Sequence, residues 1–240
     1  MTASERAHVL LDRVRALHDE WVLVARGLGE DAVHAPSALP GWTRAHLLSH
    51  VARNADGLGN LLTWAKTGVE TPMYDTATAR DEGIEAGADR SAAVIVADVV
   101  DSGERFAELA ASMPDEAWAG EARDRLGNRL TGEGVLLKRL SETSIHLVDL
   151  DSGYDFDRVS GLLGREFEVV VSGAIAWYGD GLPAVLLVAV DGDGTRHEWR
   201  MGTGDPAKVT GAPGDALAWI TGRSDGSTLD GEVPPLPHWL

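Results

Sequence analysis

The chain contains no cysteine among its 240 residues. Disulfide bonds and cysteine-ligated metal sites are therefore excluded, and any metal site must use histidine, aspartate or glutamate side chains. If the chemistry of the protein needs a thiol nucleophile, a second molecule has to bring it.

Basic residues are scarce, with 21 Lys and Arg against 38 Asp and Glu, and the formal net charge is −17. The resulting field repels phosphate backbones and anionic lipid headgroups, so nucleic acid and membrane surfaces are disfavoured as partners. We expect small-molecule partners, and the sequence is compatible with a monomer. An anionic substrate would have to be attracted locally, by a metal ion or by a few arginines.

Long apolar runs are also absent. The longest, AVLLVAV at 184–190, is much shorter than the roughly 20 residues of a membrane-spanning helix. The N-terminal segment MTASERAHVLLDRV is charged and amphipathic, unlike the apolar centre of a signal peptide. We therefore expect a soluble cytoplasmic protein.

The spacing of apolar residues predicts four long helices in the first part of the chain. The weakly periodic segment 70–88 is expected to form a loop before the third helix. The predicted helices cover residues 4–27, a segment capped by Thr43 that runs to Gly68, roughly 90–112, and a segment capped by Thr131 that ends at 152–154. Four such helices are typical of a four-helix bundle, whose core often houses metal sites.

The pattern changes after residue 153. It predicts a helix at 157–178, a β-hairpin around DGDG at 191–194, a strand at 206–211, a short helix at 214–222 and an extended tail at 231–240. The predicted fold class is α+β, with a helical bundle domain at 1–153 and a smaller α+β domain at 154–240.

The predicted fourth helix carries two residues suited to metal binding. In KRLSETSIHLVDL, Glu142 and His146 are four residues apart, so their side chains leave the same helix face. Leu140, Ile145 and Leu147 surround them, which indicates burial. A buried charge needs a partner, and a metal ion is a strong one.

The second helix offers His46 and His50, and either could complete a His, His, Glu set with an open coordination position. His46 lies near the helix start, where a capping or solvent-exposed role is usual. His50 lies in mid-helix, and we favour it as the ligand. His46 would then either contact a metal ligand without binding the ion or pack in the core. Asn54, one turn further, is a candidate for the pocket lining. Zinc is our first choice of metal, although iron, nickel and cobalt accept the same donors.

Four segments together resemble the mycothiol-dependent maleylpyruvate isomerase family: GWTRAHLLSHVARNADGLGNLL, WAKTGVETPMY, RLSETSIHLVDL, and the terminal TGRSDG with GEVPPLPHWL. The bundle segments are shared by many DinB-like thiol-dependent proteins, whereas ETPMY and the tail are more typical of the isomerase. The resemblance spans both predicted domains. It implies a DinB-like metal-binding bundle followed by a sterol-carrier-protein-like domain.

The resemblance implies that His50, Glu142 and His146 bind zinc, which selects His50 over His46. It also implies a role in activity for Arg223 of TGRSDG, as a clamp on a substrate carboxylate. Arg80 of ATARDEG lies in a family-like segment and would either bind substrate or form a surface ion pair, the ion pair being slightly favoured.

The implied activity is the zinc- and mycothiol-dependent isomerisation of maleylpyruvate to fumarylpyruvate in gentisate catabolism. Mycothiol, the small thiol of actinobacteria, would supply the nucleophile that the chain lacks, and its thiolate would add to the cis alkene and leave after rotation. The site is expected where the C-terminal domain closes over the bundle. The alternatives are a mycothiol S-transferase of the same superfamily and a non-catalytic metal or ligand sensor.

Overall fold

The computed structural model describes residues 2–238, so the last two residues of the tail motif lie outside the described part. The chain divides into two compact units between Ser152 and Gly153, and the predicted boundary, after residue 153, differs by one residue. The first unit is mainly helical and the second combines helices with a four-stranded sheet, which confirms the α+β prediction. Within residues 2–238, no helix has both the length and the apolar character needed to cross a bilayer.

The first unit is built on four long helices. Its helices are α1 Ala3–Gly27, α2 Glu30–His34, α3 Arg44–Thr67, α4 Ala79–Ala88, α5 Ala92–Ala111 and α6 Gly132–Asp149. Helices α1 and α3 each pack against both α5 and α6, as in the predicted four-helix bundle. Their apolar faces form the core, with fully buried side chains that include Trp21, Leu47, Leu58 and Leu136.

Threonine caps start the two helices that carry the candidate ligands, as predicted. The Thr43 hydroxyl accepts a hydrogen bond from the backbone N–H of His46, and the Thr131 hydroxyl accepts one from the N–H of Gly134. Gly68 closes α3 in the left-handed conformation, with φ of 71°. Local capping chemistry therefore fixes where α3 and α6 begin.

Two features of the first unit differ from the sequence prediction. Residues 79–88, predicted as loop, form α4, which buries Ile84 and little else and therefore has a weak apolar pattern. A short antiparallel hairpin, β1 Glu121–Arg123 and β2 Arg129–Thr131, was not predicted. Its turn is held by the Asp124 carboxylate, which accepts hydrogen bonds from two backbone N–H groups of the turn.

The second unit contains α7 Phe156–Leu163, α8 Phe167–Trp177, β3 Val185–Val190, β4 Arg196–Met201, β5 Ala207–Gly211, α9 Pro213–Ile220 and β6 Asp230–Gly231. The strand order is β4-β3-β5-β6; β3 pairs with β4 antiparallel and with β5 parallel, and β6 runs antiparallel to β5. The predicted hairpin, strand and short helix are confirmed. The prediction of a single helix at 157–178 is wrong, because Gly164 adopts φ of 55° and separates α7 from α8.

Candidate metal centre

Helices α3 and α6 bring His50, Glu142 and His146 together. The Glu142 Oε2 atom lies 3.2 Å from His50 Nε2 and 3.5 Å from His146 Nε2. One ligand atom from each of the three residues lies within 4.8 Å of the other two. Zinc holds nitrogen and oxygen ligands at about 2.0–2.2 Å, so three donors this close can share one ion.

Burial prepares His50 as a neutral donor. The residue is only 4% exposed. This burial, together with the positive charges of His146 and Arg80, outweighs the pull of Glu142 and lowers the pKa of His50 to about 4. Because of this low pKa, the imidazole of His50 is neutral near neutral pH. The neutral imidazole is the form that binds a metal ion.

Glu142 and His146 form a strongly ionic pair. Burial by itself disfavours the charged carboxylate, but hydrogen bonds from His146 and His50 hold the pKa of Glu142 well below its usual range. Burial likewise favours the neutral form of His146, but the carboxylates of Asp149 and Glu142 raise the pKa of His146. The set of one buried imidazole, one partly buried imidazole and an anionic carboxylate fits a divalent ion, whose binding would release the proton of His146.

Asp149 lies behind His146 and was not singled out from the sequence. Its Oδ2 atom is 2.8 Å from His146 Nδ1, and its side chain is almost fully buried. This contact turns the other ring nitrogen, Nε2, toward Glu142. A carboxylate behind a histidine is the usual companion of a metal ligand, and the three-residue spacing in HLVD could have indicated it.

His46 is directed away from the ligand set. Its Nδ1 atom lies 2.7 Å from the Thr43 hydroxyl oxygen, and its Nε2 atom lies 3.4 Å from a carboxylate oxygen of Glu85 on α4. The indole of Trp42 stands next to both histidines, with ring centroids 6.2 Å from His46 and 5.7 Å from His50. His46 therefore takes part in the N-terminal cap of α3, and Trp42 packs against both imidazole rings.

Arg80 forms the ion pair that was slightly favoured for it, and it also lies beside His50. Its Nη2 atom lies 3.4 Å from His50 Nδ1, and its Nη1 atom lies 2.6 Å from a carboxylate oxygen of Asp81. The guanidinium thus forms a partly exposed ion pair and also adds positive charge next to a candidate ligand.

Asn54 is buried and already engaged. Its side-chain oxygen accepts a hydrogen bond of 2.8 Å from Arg139, a residue that sequence reasoning missed. Arg139 is 2% exposed, and burial lowers its pKa to about 10, so it remains charged. It precedes Glu142 by three residues on α6 and so shares its helix face, which was the available signal.

Arg223 belongs to the second unit, just after α9. Its Nη1 atom donates a hydrogen bond of 2.7 Å to the carbonyl oxygen of Thr221, and its side chain is half-buried. The predicted role of Arg223 and the predicted closing of the site by the second domain stay predictions.

Residues 14–151 match the family model described as "Mycothiol maleylpyruvate isomerase N-terminal domain". This match covers more than half of the chain and includes His50, Glu142 and His146. The chain belongs to this family. No curated protein matches the chain in a sequence comparison.

Solved structures extend the likeness beyond the family's N-terminal domain. The crystal structure of the mycothiol-dependent maleylpyruvate isomerase has a TM-score of 0.82 and 27% sequence identity, and the match covers 100% of both chains. A histidine-to-alanine mutant of that isomerase matches with the same values. The mycothiol maleylpyruvate isomerase fold therefore describes the second unit as well as the bundle.

Proposed function

We propose that this protein is a zinc- and mycothiol-dependent isomerase that converts maleylpyruvate, the cis isomer, to fumarylpyruvate, the trans isomer. The observation that carries the proposal is the cluster of the buried His50 with the partly buried Glu142 and His146, in a chain that matches the isomerase structure over its full length. We place the activity in the cytoplasm, where small thiols stay reduced, on a gentisate route of aromatic breakdown.

The three candidate ligands come from two helices, and an ion held by these three alone would keep a coordination position for an outside group. In the proposed site His50, Glu142 and His146 hold the ion, and Asp149 holds the ring of His146. A bound divalent ion deprotonates a coordinating thiol and so supplies a thiolate at neutral pH. The absence of cysteine from the chain supports this role for an external thiol.

The substrate is a dicarboxylate, whereas the protein carries a net charge of −17. Positive charge must therefore be local if the protein is to hold the substrate. Arg80 supplies such a charge beside His50, and we propose that it binds one carboxylate of the substrate. For Arg223 we propose a carboxylate-binding role on the family resemblance alone. A guanidinium group suits this task because it binds a carboxylate through two parallel hydrogen bonds.

The test is the conversion of maleylpyruvate by zinc-loaded protein with and without mycothiol. We expect isomerisation only with the thiol, loss of activity after treatment with a chelator, and recovery when zinc is restored. Equal rates with and without mycothiol would contradict the thiol role. Attachment of mycothiol to chlorinated or epoxide acceptors, with no isomerisation of maleylpyruvate, would instead identify an S-transferase.

A further inference from the structure

Two arginines, one from each helix, connect α3 to α6. Arg44, at the start of α3, donates hydrogen bonds of 2.8 Å to the carbonyl oxygens of Leu150 and Asp151, at the end of α6. Arg139 of α6 donates from a single nitrogen, Nη1, to the carbonyl oxygen of Val51 and to the side-chain oxygen of Asn54, both at 2.8 Å. Each helix thus binds polar oxygens of the other.

The candidate metal ligands lie between these two contact points. On α3, His50 falls between Arg44 and Asn54. On α6, Glu142 and His146 fall between Arg139 and the helix end. The arginine contacts therefore lie on both sides of the ligand set along both helices.

Burial of the charged Arg139 side chain in the bundle core is energetically unfavourable. Its guanidinium lies 5.8 Å from the ring centroid of Phe106, and the residue is 2% exposed. Within the described residues, its hydrogen bonds go to a carbonyl and an amide, not to a carboxylate. The charges of Glu142 and Asp56 favour the guanidinium, but burial outweighs them and lowers its pKa to about 10. A buried charge of this kind is destabilising relative to an apolar residue, so we look for a gain other than stability.

We propose that Arg139, together with Arg44, is a positioning residue that fixes the register of α3 against α6 and so sets the distance between His50 and Glu142. A slip of one residue along a helix moves a side chain by about 1.5 Å, which is comparable to the length of a metal–ligand bond. The inference rests on the metal site proposed above, because it assigns these arginines to the geometry of that site.

The experiment compares cobalt(II) binding by the full-length wild-type chain, Arg139→Met and Arg44→Met. Affinity is measured by competition with a chelator, and ligand geometry by the visible absorption spectrum of the bound cobalt. We expect each variant to bind cobalt about tenfold more weakly or worse, with a changed spectrum, as for other groups that orient metal ligands.

Trp21→Phe is the matched control. It removes a buried hydrogen bond of 2.9 Å from Trp21 Nε1 to the carbonyl oxygen of Thr143, which connects α1 to α6 and leaves both arginine contacts in place. We expect the control to lose stability and keep the wild-type cobalt affinity and spectrum. An equal loss of affinity in this control would show a general effect of destabilisation and would overturn the proposal.

Arg139→Lys provides the rescue. One lysine nitrogen can replace Nη1 as donor to Asn54. This variant should therefore recover most of the cobalt affinity and the wild-type spectrum. If Arg139→Met does not fold, a loss of cobalt affinity in Arg139→Lys equal to that of Arg44→Met would overturn the role of the Arg139 hydrogen bonds. Wild-type affinity and spectrum in both methionine variants would overturn the positioning role alone. A wild-type chain that binds no cobalt would overturn the metal site itself, and the two failures are thereby distinguished.

Discussion

The imidazole of His146 and the buried carboxylate of Asp149 form a pair in the last turn of α6, with Nδ1 2.8 Å from Oδ2. The carboxylate is 2% exposed. Because it occupies one ring nitrogen, it leaves Nε2 facing Glu142, at 3.5 Å from Oε2. The orientation of one candidate ligand therefore depends on a residue that is not itself in the ligand set.

Replacing this carboxylate tests that dependence. Asp149→Asn keeps the size of the side chain but removes the charge that holds the Nδ1 proton, so we expect zinc affinity to fall about 10- to 100-fold. Competition with a chromophoric chelator measures the change. Asp101→Asn, the same change on the exposed surface of α5, should leave the affinity unaltered. Unchanged zinc binding by Asp149→Asn would rule out the orienting role.

The two histidines of α3 should respond differently to truncation. His50→Ala removes a ligand, and we expect the purified variant to retain no stoichiometric zinc after dialysis. His46→Ala removes the partner of Thr43 in the helix cap, which should cost about 1 kcal/mol of unfolding free energy while zinc content stays at the wild-type level. Metal analysis and urea unfolding of both variants provide the measurements. Zinc loss in His46→Ala with retention in His50→Ala would reverse the assignment.

The sequence alone was informative where the interaction is local. Glu142 and His146 share a helix face because of helix geometry, and Thr43 and Thr131 cap their helices through neighbouring N–H groups. Both histidines occupy the same face of α3, so the mid-helix position of His50 only favoured it as the ligand, and the family resemblance selected it over His46. In the structure, His46 is turned toward its own helix cap and His50 toward Glu142.

Long-range contacts were not accessible in this way. The hydrogen bond of Arg139 to Asn54 joins residues that are 85 positions apart, and only the packing of α3 against α6 brings them together. Helix α4 was missed because it buries one face of few apolar residues, and the break at Gly164 was missed because the apolar pattern continues across it. The apolar periodicity within a helix or strand predicts that element, whereas contacts between elements can be seen only once the fold is known.

His197 of the second unit should make stability depend on pH. Its Nδ1 atom lies 2.7 Å from Glu168 and its Nε2 atom 3.4 Å from Asp191. Burial favours the neutral ring, but hydrogen bonds to these two carboxylates outweigh it and raise the pKa of His197. A raised pKa in the folded state means that the stabilisation is complete below the ordinary histidine pKa and is lost as pH rises through the folded value.

His197→Gln measures this contribution. We expect the difference in unfolding free energy between wild type and variant, about 1 kcal/mol or less because Glu168 is exposed, to be larger at about pH 5.5 than at about pH 8.5. Urea titrations at both pH values give the two differences. The same difference at both values would mean that the ring contributes through packing against Phe167 and Trp199, not through its charge.

Removal of the metal should lower the thermal stability of the protein, because the candidate ligands join α3 to α6. Zinc at about 100 times its dissociation constant stabilises a folded protein by about 2.7 kcal/mol, and a chain of this size gains about 2–4 °C per kcal/mol, so a chelator should lower the unfolding midpoint by about 5–10 °C. Differential scanning calorimetry with and without zinc measures the shift. Glu142→Gln is the matched variant, since it keeps the side-chain size and removes the anionic ligand, and its midpoint should not respond to zinc. A zinc response of equal size in Glu142→Gln would place the stabilising ion at a site other than His50, Glu142 and His146.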